Sequence, residues 1–381
     1  MPDTKPTTKT LTPADVLKGG SPCVLTAVLA PVAGLDRFQP AGFPEVGHVI
    51  YKAPRKNGAV EHVCIVDSPA SMANHLESVC MRGAHDYDLA ADLHGMPYLR
   101  CVTDPQSPDG DQPNRREVVV TSLTEGHRIA STYFLDGKRI NEGGEPANEQ
   151  FKEELADECG IVLRTGNRAH PPVEKWWQVF TTIFKYDPNA LVHGVLFPKW
   201  NVKISRVLTA HLEAFGAGRV DRSGVKFDRL QKTTSGQPIF AVDDSTAREI
   251  CATFILDVAL LRSFGRADGE QKLGLTGDQK EFLAALALWK INQLLSAPFR
   301  FRSGCHLELV SLKQGESAVE LDVSMESAIE KAKFRSGKDP VAPVVTDIFW
   351  PREELYQEPP EKESAAKDAA DEEDEEETEG E

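Results

Sequence analysis

The sequence constrains the fold most strongly where a buried strand is followed at once by a helix. The segment Cys64–Gly83 reads CIVDSPASMANHLESVCMRG. Ser68 occupies the N-cap position and a proline follows it, which is a favoured helix start. Met72, Leu76 and Val79 recur at helical spacing and would pack on a sheet. This strand–helix unit predicts a mixed fold in which helices cover a sheet.

The opposite face of the same predicted helix is polar. Its side chains are spaced three, four, three and four residues apart, which places them on one stripe. The stripe suits a phosphate backbone, because hydroxyls, an imidazole and a guanidinium lie beside the free N–H groups of a helix start. A solvated surface face is the more frequent cause of such a pattern. The stripe comprises Ser68, Ser71, His75, Ser78 and Arg82.

A second basic cluster, also a candidate RNA-binding site, contains Lys199, Lys203 and Arg206. Lys199 lies before the segment Lys203–Phe215, and the other two cations lie within it. The apolar residues of this segment recur at helical spacing, and a glycine follows it. The spacing predicts an amphipathic helix that ends at Gly216.

A third basic cluster lies in the segment FRFR at residues 299–302. In a strand, this alternation places Arg300 and Arg302 on the same face. Arginines interleaved with aromatic rings are typical of proteins that bind single-stranded RNA by charge and stacking. A half-exposed strand with solvated arginines is the structural alternative.

The acidic charge of the chain is concentrated at its C-terminal end. The net charge is −16, and residues 353–381 carry 15 of the 59 acidic side chains but only 2 of the 43 basic ones. The remaining residues therefore have a net charge of −3, and a near-neutral body can contain a basic groove. The composition of 353–381 predicts an acidic disordered tail.

The remaining patterns predict an α+β chain in which strands and helices alternate irregularly. Apolar strands are predicted at Cys23–Val32 and Leu191–Phe197, a hairpin through Asn57-Gly58, and a long helix at Asp278–Leu295. The predicted organisation is a flexible N-terminal arm at 1–20, one domain at 21–352 with an insertion at about 104–172, and the tail at 353–381.

Seven dispersed cysteines without CxxC spacing predict reduced thiols and a cytoplasmic protein. No apolar stretch reaches the ~20 residues of a membrane helix, so no membrane partner is expected. No motif predicts a cofactor or a bound metal. His85-Asp86 would fit a free-standing metal phosphohydrolase, but a hydrogen bond within a loop explains this pair better.

Several segments together resemble the backbone subunit of the RAMP superfamily in the type I-G (formerly I-U) CRISPR Cascade complex. The resemblance covers most of residues 23–312, and VDSPASMANHLE is its most specific part. The segments are GLDRFQPAGFPEVGHVIYK (34–52), VDSPASMANHLE (66–77), HGVLFPKW with SRVLTAHLEAFGA and GVKFD (193–228), and FRFRSGCHLEL (299–309).

The resemblance implies an RRM-like (ferredoxin-like) palm with inserted elements that include a thumb. It also implies that copies of the protein oligomerise along a CRISPR guide RNA with other Cascade subunits, and that the guide recognises target DNA by base pairing. The expected function is an RNA-binding scaffold and not an enzyme. The implied RNA contacts near the palm are Arg37, Gln39, Ser68, Ser71, Asn74 and His75.

Type III relatives of such subunits cut target RNA with an aspartate in the loop after the first strand. Asp36 occupies a comparable place in this sequence. A metal-dependent endoribonuclease is therefore the alternative function that the resemblance implies.

Overall fold

The computed structural model describes residues 8–42, 47–84, 86–105, 116–162, 171–220, 244–268, 271–334 and 345–356. The strands are β1 (Lys9–Leu11), β2 (Cys23–Pro31), β3 (Ile50–Pro54), β4 (Val60–Asp67), β5 (Met81–Gly83), β6 (Asp86–Leu89), β7 (Tyr98–Thr103), β8 (Glu117–Thr121), β9 (Lys138–Arg139), β10 (Val195–Phe197), β11 (Val202–Ile204), β12 (Leu208–Phe215), β13 (Gly218–Val220), β14 (Asp244–Thr246), β15 (Glu249–Leu256), β16 (Gly265–Asp268), β17 (Gln271–Gly274), β18 (Phe299–Arg302), β19 (Cys305–Gln314), β20 (Ser317–Leu321) and β21 (Val345–Phe349). The helices are α1 (Pro13–Lys18), α2 (Pro69–Ser78), α3 (Thr132–Leu135), α4 (Phe151–Glu158), α5 (Trp176–Tyr186), α6 (Pro188–His193), α7 (Val258–Ser263), α8 (Gly277–Leu295), α9 (Met325–Ala332) and α10 (Arg352–Leu355). This mixture confirms the predicted α+β class.

The main sheet is built around β2. Its strand order is β1-β20-β19-β2-β15-β12-β4-β3, and β18 pairs with β19. The β1–β20 pair is parallel, and the other pairs are antiparallel. Leu25, Ala27 and Leu29 of β2 are buried and alternate with half-buried residues. This alternation has the period of a strand, and it confirms the strand predicted after Pro22.

The predicted hairpin joins β3 to β4. These strands are antiparallel, with Pro54 opposite Val60. Gly58 has a φ of +79°, and the side chain of Asn57 accepts a hydrogen bond from the N–H of Ala59 at 3.0 Å. The Asn-Gly pair therefore forms the turn because glycine adopts a positive φ without a steric penalty.

Two helices cover one face of the main sheet. The helix α2 contacts β12, α8 contacts β20, and the two helices contact each other. The helix α8 begins at a capping box in which Thr276 and Gln279 exchange hydrogen bonds, and most of its length is buried. Its position confirms the long helix predicted at Asp278–Leu295.

A second sheet has the strand order β8-β7-β21-β9. The pair β7–β21 is parallel, and Arg100 of β7 donates two hydrogen bonds to Asp347 of β21, at 2.8 and 2.9 Å. Strands β8 and β9 fall inside the insertion predicted at about 104–172. The boundaries of that insertion stay a prediction.

The segment 203–215 is not the predicted helix. Residues Val202–Ile204 form β11, and residues Leu208–Phe215 form β12 between β15 and β4. Buried and half-buried residues alternate along β12, so its apolar pattern also has the period of a strand. Pairing on both sides satisfies its backbone hydrogen bonds and decides between the two periods.

Two other boundaries differ from the predictions. A helix, α6, occupies the first part of the strand expected at 191–197, because Asp187 caps its N-terminus and Pro188 follows. The predicted helix after Ser68 ends at Ser78, and Arg82 lies in β5.

Short elements lie within the ranges predicted as an arm and a tail. Residues 9–18 form β1 and α1, where the sequence predicted a flexible arm. The helix α10 extends into the start of the predicted tail, and residues 357–381 lie outside the described residues. All seven cysteines are buried and carry free thiols. Among the helices of the described ranges, none combines the length and apolar composition needed to cross a membrane.

Candidate functional site

A buried carboxylate joins two of the segments that the sequence analysis identified. Asp67 is the last residue of β4, and its side chain is only 1% exposed. Its Oδ1 accepts a hydrogen bond from Nη2 of Arg302 at 2.7 Å. Its Oδ2 accepts one from Oγ of Ser71 at 2.9 Å and lies 3.1 Å from Nε2 of His75. Asp67, Ser71, His75 and Arg302 are called the Asp67 cluster below.

Local structure positions the helical members of this cluster. The Oγ of Ser68 accepts the N–H of Ser71 at 3.2 Å, as expected for an N-cap residue. The N–H of Ser68 donates to Asp67 Oδ1 at 2.9 Å. Ser71 and His75 are one helical turn apart, so both reach the carboxylate below the start of α2.

The phenylalanines of β18 support the cluster from the other side. The imidazole ring of His75 lies edge-on to Phe299 and Phe301, with ring centroids 5.2 and 5.3 Å apart. The register between β18 and β19 shifts between Arg300 and Arg302. Arg302 points to Asp67, whereas Arg300 is exposed and donates to Oγ of Ser303 at 2.7 Å.

The surroundings of Asp67 keep its carboxylate ionised. Burial by itself raises the pKa of Asp67, but the hydrogen bond from His75, the charge of Arg302 and the hydrogen bond from Ser71 outweigh it. The pKa of Asp67 therefore lies below its ordinary value. The hydroxyl of Ser71 and the ring of His75 serve this carboxylate, so they position α2 and do not simply present a free polar stripe.

The loop after β2 lies against this cluster. The N–H of Gln39 donates to the carbonyl of Gly304 at 2.9 Å, and the N–H of Ala41 donates to the carbonyl of Val66 at 2.9 Å. These bonds connect the loop to the turn after β18 and to the end of β4. The structure thus brings together three of the segments on which the resemblance rests.

Three of the predicted contact residues near this cluster are solvent-exposed, as is Asp36, the candidate nuclease residue. The side chain of Arg37 is 59% exposed, and its Nε lies 3.6 Å from Oδ2 of Asp244. Asn74 is exposed on α2, and Arg300 is exposed on β18. Asp36 is exposed as well, and its backbone carbonyl accepts a hydrogen bond from Thr246 at 2.8 Å. These side chains are available to a ligand outside the buried Asp67 cluster.

The second predicted basic cluster lies on a separate cleft of about 1020 Å³. The hairpin β10–β11 and the segment 125–136 form its walls. Lys199, Lys203 and Arg206 line it and are exposed. Within the described ranges, their charged groups make no hydrogen bond or ion pair. Tyr133 and Leu196 add apolar surface, with exposed fractions of 39% and 54%.

A buried polar network lies behind this cleft. Nε and Nη2 of Arg128 donate to Oε1 and Oε2 of Glu77 at 2.7 and 2.6 Å. Nδ2 of Asn189 also donates to Oε1 of Glu77 at 2.6 Å, and Nζ of Lys290 donates to Oδ1 of Asn189. All four side chains are buried. The network connects α2, α6 and α8 to the loop that forms one wall of the cleft.

Two titratable groups beside this network have displaced pKa values. Burial raises the pKa of Asp187 to about 7, although Arg128 opposes the change. His193 is 1% exposed and lines the cleft, and among the described residues neither of its ring nitrogens has a hydrogen-bond partner. Burial, and then the charges of Lys290, Arg128 and Arg206, keep its pKa well below the ordinary value. A neutral His193 therefore offers one donor and one acceptor at the cleft wall.

The cleft and the Asp67 cluster are neighbours. Asp67 precedes α2, and Glu77 lies in the last turn of this helix. The distance between the two residues along the helix is about 15 Å. On β12, Thr209 lines the cleft and Leu212 pairs with Asp67. The distance from Thr209 to Leu212 along the strand is about 10 Å. The start of α2 and the cleft are therefore joined by two short elements.

The residues proposed for a metal hydrolase do not form a described metal site. His85 lies outside the described residues, and Asp86 forms an ion pair with Arg82. In the part of the chain that the structure describes, no group of three or more His, Cys, Asp or Glu side chains is arranged to hold a metal ion.

Comparison with known proteins identifies the family. A family model described as CRISPR-associated protein GSU0053 matches residues 23–219. The match spans 197 of the 381 residues, which is more than half of the chain. The chain belongs to this CRISPR-associated family. A search of curated proteins found no match.

Family membership confirms the predicted association with CRISPR. The part of the chain that matches this CRISPR-associated family contains Asp67, α2 and the three cations of the cleft, whereas Arg302 lies beyond it. The Asp67 cluster therefore connects the matched part of the chain to a strand outside the match.

Proposed function

We propose that this CRISPR-associated protein is an RNA-binding backbone subunit of a type I-G Cascade complex. It binds the phosphates of the guide RNA, oligomerises along the guide with other Cascade subunits, and presents the bases for pairing with target DNA. The observation that carries the proposal is the cleft beside α2, where Lys199, Lys203 and Arg206 are exposed and make no ion pair in the described structure. Cations in this state are available to neutralise phosphates.

The order of four strands supports an RRM-like palm. Strands β2, β12, β15 and β19 follow one another along the chain and lie in the order β19-β2-β15-β12, with antiparallel neighbours. A helix that packs on the sheet, α2 or α8, lies in each of the two long connections. This is the order of a βαββαβ fold, and β-sheets of this kind bind single-stranded RNA in many proteins. The proposed palm carries inserted elements, which include a thumb.

Recognition of the RNA backbone also explains why some predicted residues contact RNA whereas others only position α2. Arg37, Asn74 and Arg300 are exposed and reach RNA directly, together with the cations of the cleft. Ser71, His75 and Arg302 hold the buried carboxylate of Asp67 and thereby position the start of α2. Since the contacts go to phosphates, binding is independent of spacer sequence.

Replacing Lys199, Lys203 and Arg206 together by alanine is expected to weaken binding of single-stranded RNA. Three lost phosphate contacts reduce the slope of log affinity against log salt by about 2, at roughly 0.7 per phosphate for single strands. The measurement is fluorescence anisotropy with two unrelated RNAs of equal length at several salt concentrations.

The matched control replaces three exposed lysines that do not line the cleft, Lys18, Lys56 and Lys331. It removes the same charge and should change the slope much less. An equal loss in both variants would show that the cleft does not bind the RNA, and a strong preference for one RNA would contradict backbone recognition.

Asp36→Ala separates the scaffold from the endoribonuclease alternative. Because Asp36 is exposed beside the proposed RNA path, a nuclease would lose its metal ligand or base with this change, whereas a scaffold would not. We expect unchanged RNA affinity and DNA interference in this variant. The scaffold proposal fails if the purified wild-type complex cuts complementary RNA with a divalent metal and Asp36→Ala abolishes the cutting.

A further inference from the structure

The described chain ends near the cationic cleft. The indole N–H of Trp350 donates a hydrogen bond to the carbonyl of Tyr133 at 2.7 Å, and Tyr133 lines the cleft. Trp350 also lies so close to Gly137 that a Cβ there would be 2.5 Å from its indole nitrogen. Tyr356 is the sixth residue after Trp350, so it lies within about 20 Å of this contact.

The segment that follows is acidic, opposite in charge to Lys199, Lys203 and Arg206 of the cleft. Residues 357–381 contain 13 acidic and 2 basic side chains, and seven of the acidic ones are consecutive at 371–377. Twenty-five residues can span up to about 80 Å when extended. This reach exceeds the distance back to Tyr133, so the acidic side chains can meet the cleft of the same molecule.

We propose that residues 357–381 bind in this cleft and occupy it when no nucleic acid is present. Carboxylates of the segment pair with Lys199, Lys203 and Arg206, and the neutral ring of His193 offers a further hydrogen bond at the cleft wall. Displacement of the segment by RNA rests on the proposed function, whereas binding of the segment to the cleft does not.

The cleft is the preferred partner because it groups three exposed cations that pair with no described carboxylate, whereas several other exposed cations are already paired. Arg82 forms ion pairs with Asp86 and Asp88, and Arg248 forms one with Glu61. An acidic segment gains little from cations whose charge is already balanced. Attachment to the same chain raises its effective concentration at the cleft to the millimolar range.

Zero-length carbodiimide crosslinking of the full chain tests the contact directly, since this reagent joins a lysine to a carboxylate only when the two touch. We expect peptides that link residues 371–377 to Lys199 and Lys203 at low salt, and their loss at high salt. Lys18, Lys56 and Lys331 serve as exposed internal controls. Crosslinks spread evenly over these lysines would overturn the proposal. The same crosslinks can be measured in an equal mixture of isotopically light and heavy protein. If they pair light peptides with heavy ones, the cleft is occupied by a second copy, and the proposal is also overturned.

A double-mutant cycle in the full chain tests the consequence for RNA. One variant converts the seven acidic residues at 371–377 to Asn or Gln, another carries Lys199→Ala, Lys203→Ala and Arg206→Ala, and the third combines them. Neutralising the segment should tighten RNA binding about 10-fold when the cleft is intact and have little effect when it is not. An equal gain in both backgrounds would indicate general repulsion and refute competition in the cleft. If no variant binds RNA, the proposed function fails, while the crosslinks still decide whether the segment binds the cleft.

Discussion

Glu77→Ala is expected to lower the free energy of unfolding by about 3–5 kcal/mol, because it leaves the charge of Arg128 buried without its partner. Glu77 accepts three hydrogen bonds, two from Arg128 and one from Asn189. Asn189 in turn accepts one from Lys290. The change therefore affects two buried cations and the packing of three helices. Equilibrium unfolding in urea measures the loss.

The pair Arg100–Asp347 is a matched control for this prediction. It has the same bidentate geometry, but its side chains are 26% and 31% exposed. Partly solvated pairs contribute little, so Asp347→Ala should cost about 1 kcal/mol or less. Similar losses for Glu77→Ala and Asp347→Ala would show that burial of the first pair has no special energetic role.

The gain in stability of Asp187→Asn over the wild type should be larger at neutral pH than at acidic pH. The ordinary pKa of this carboxyl is 3.8, and burial raises it to about 7 in the folded protein. Between these two values the folded state keeps a proton that the unfolded chain has released. Wild-type stability therefore falls as pH rises through this window, and each pKa unit corresponds to about 1.4 kcal/mol.

Asparagine has no such ionisation, so the difference in unfolding free energy between Asp187→Asn and wild type should grow from pH 4.5 to pH 7.5 by a few kcal/mol. It keeps an oxygen that can accept the N–H of Ala190, as Asp187 does at 3.3 Å. Taking the difference between the two proteins cancels the titration of other carboxylates, including Asp67. A difference that does not change with pH would contradict the buried, protonated state of Asp187.

Local sequence signals predicted several parts of the fold correctly. The alternation along β2, the Asn57-Gly58 turn and the Ser68-Pro69 helix start depend on backbone geometry within a few residues. Such short-range preferences are present in the sequence whatever the rest of the chain does. The same signals placed Ser68, Ser71 and His75 near one another, because they share a single helix.

The apolar pattern of residues 203–215 was ambiguous between a helix and a strand, and pairing with neighbouring strands decided between the two. Leu208 and Leu212 fit a helix and also alternate as a strand, and only the position of β12 between β15 and β4 selects the strand. Asp187-Pro188 is a capping signal, which would have identified α6 before the structure.

The long-range contacts of the site came from tertiary structure alone. Asp67 and Arg302 are 235 residues apart, and no local pattern pairs them. The pairing of β18 with β19 and of β19 with β2 brings Arg302 to the end of β4. Arg128 and Glu77 are 51 residues apart and likewise meet only in the folded chain. Local sequence determined where strands and helices begin, since their caps and turns are short-range, whereas burial decided which charged side chains are paired and which remain exposed in the cleft.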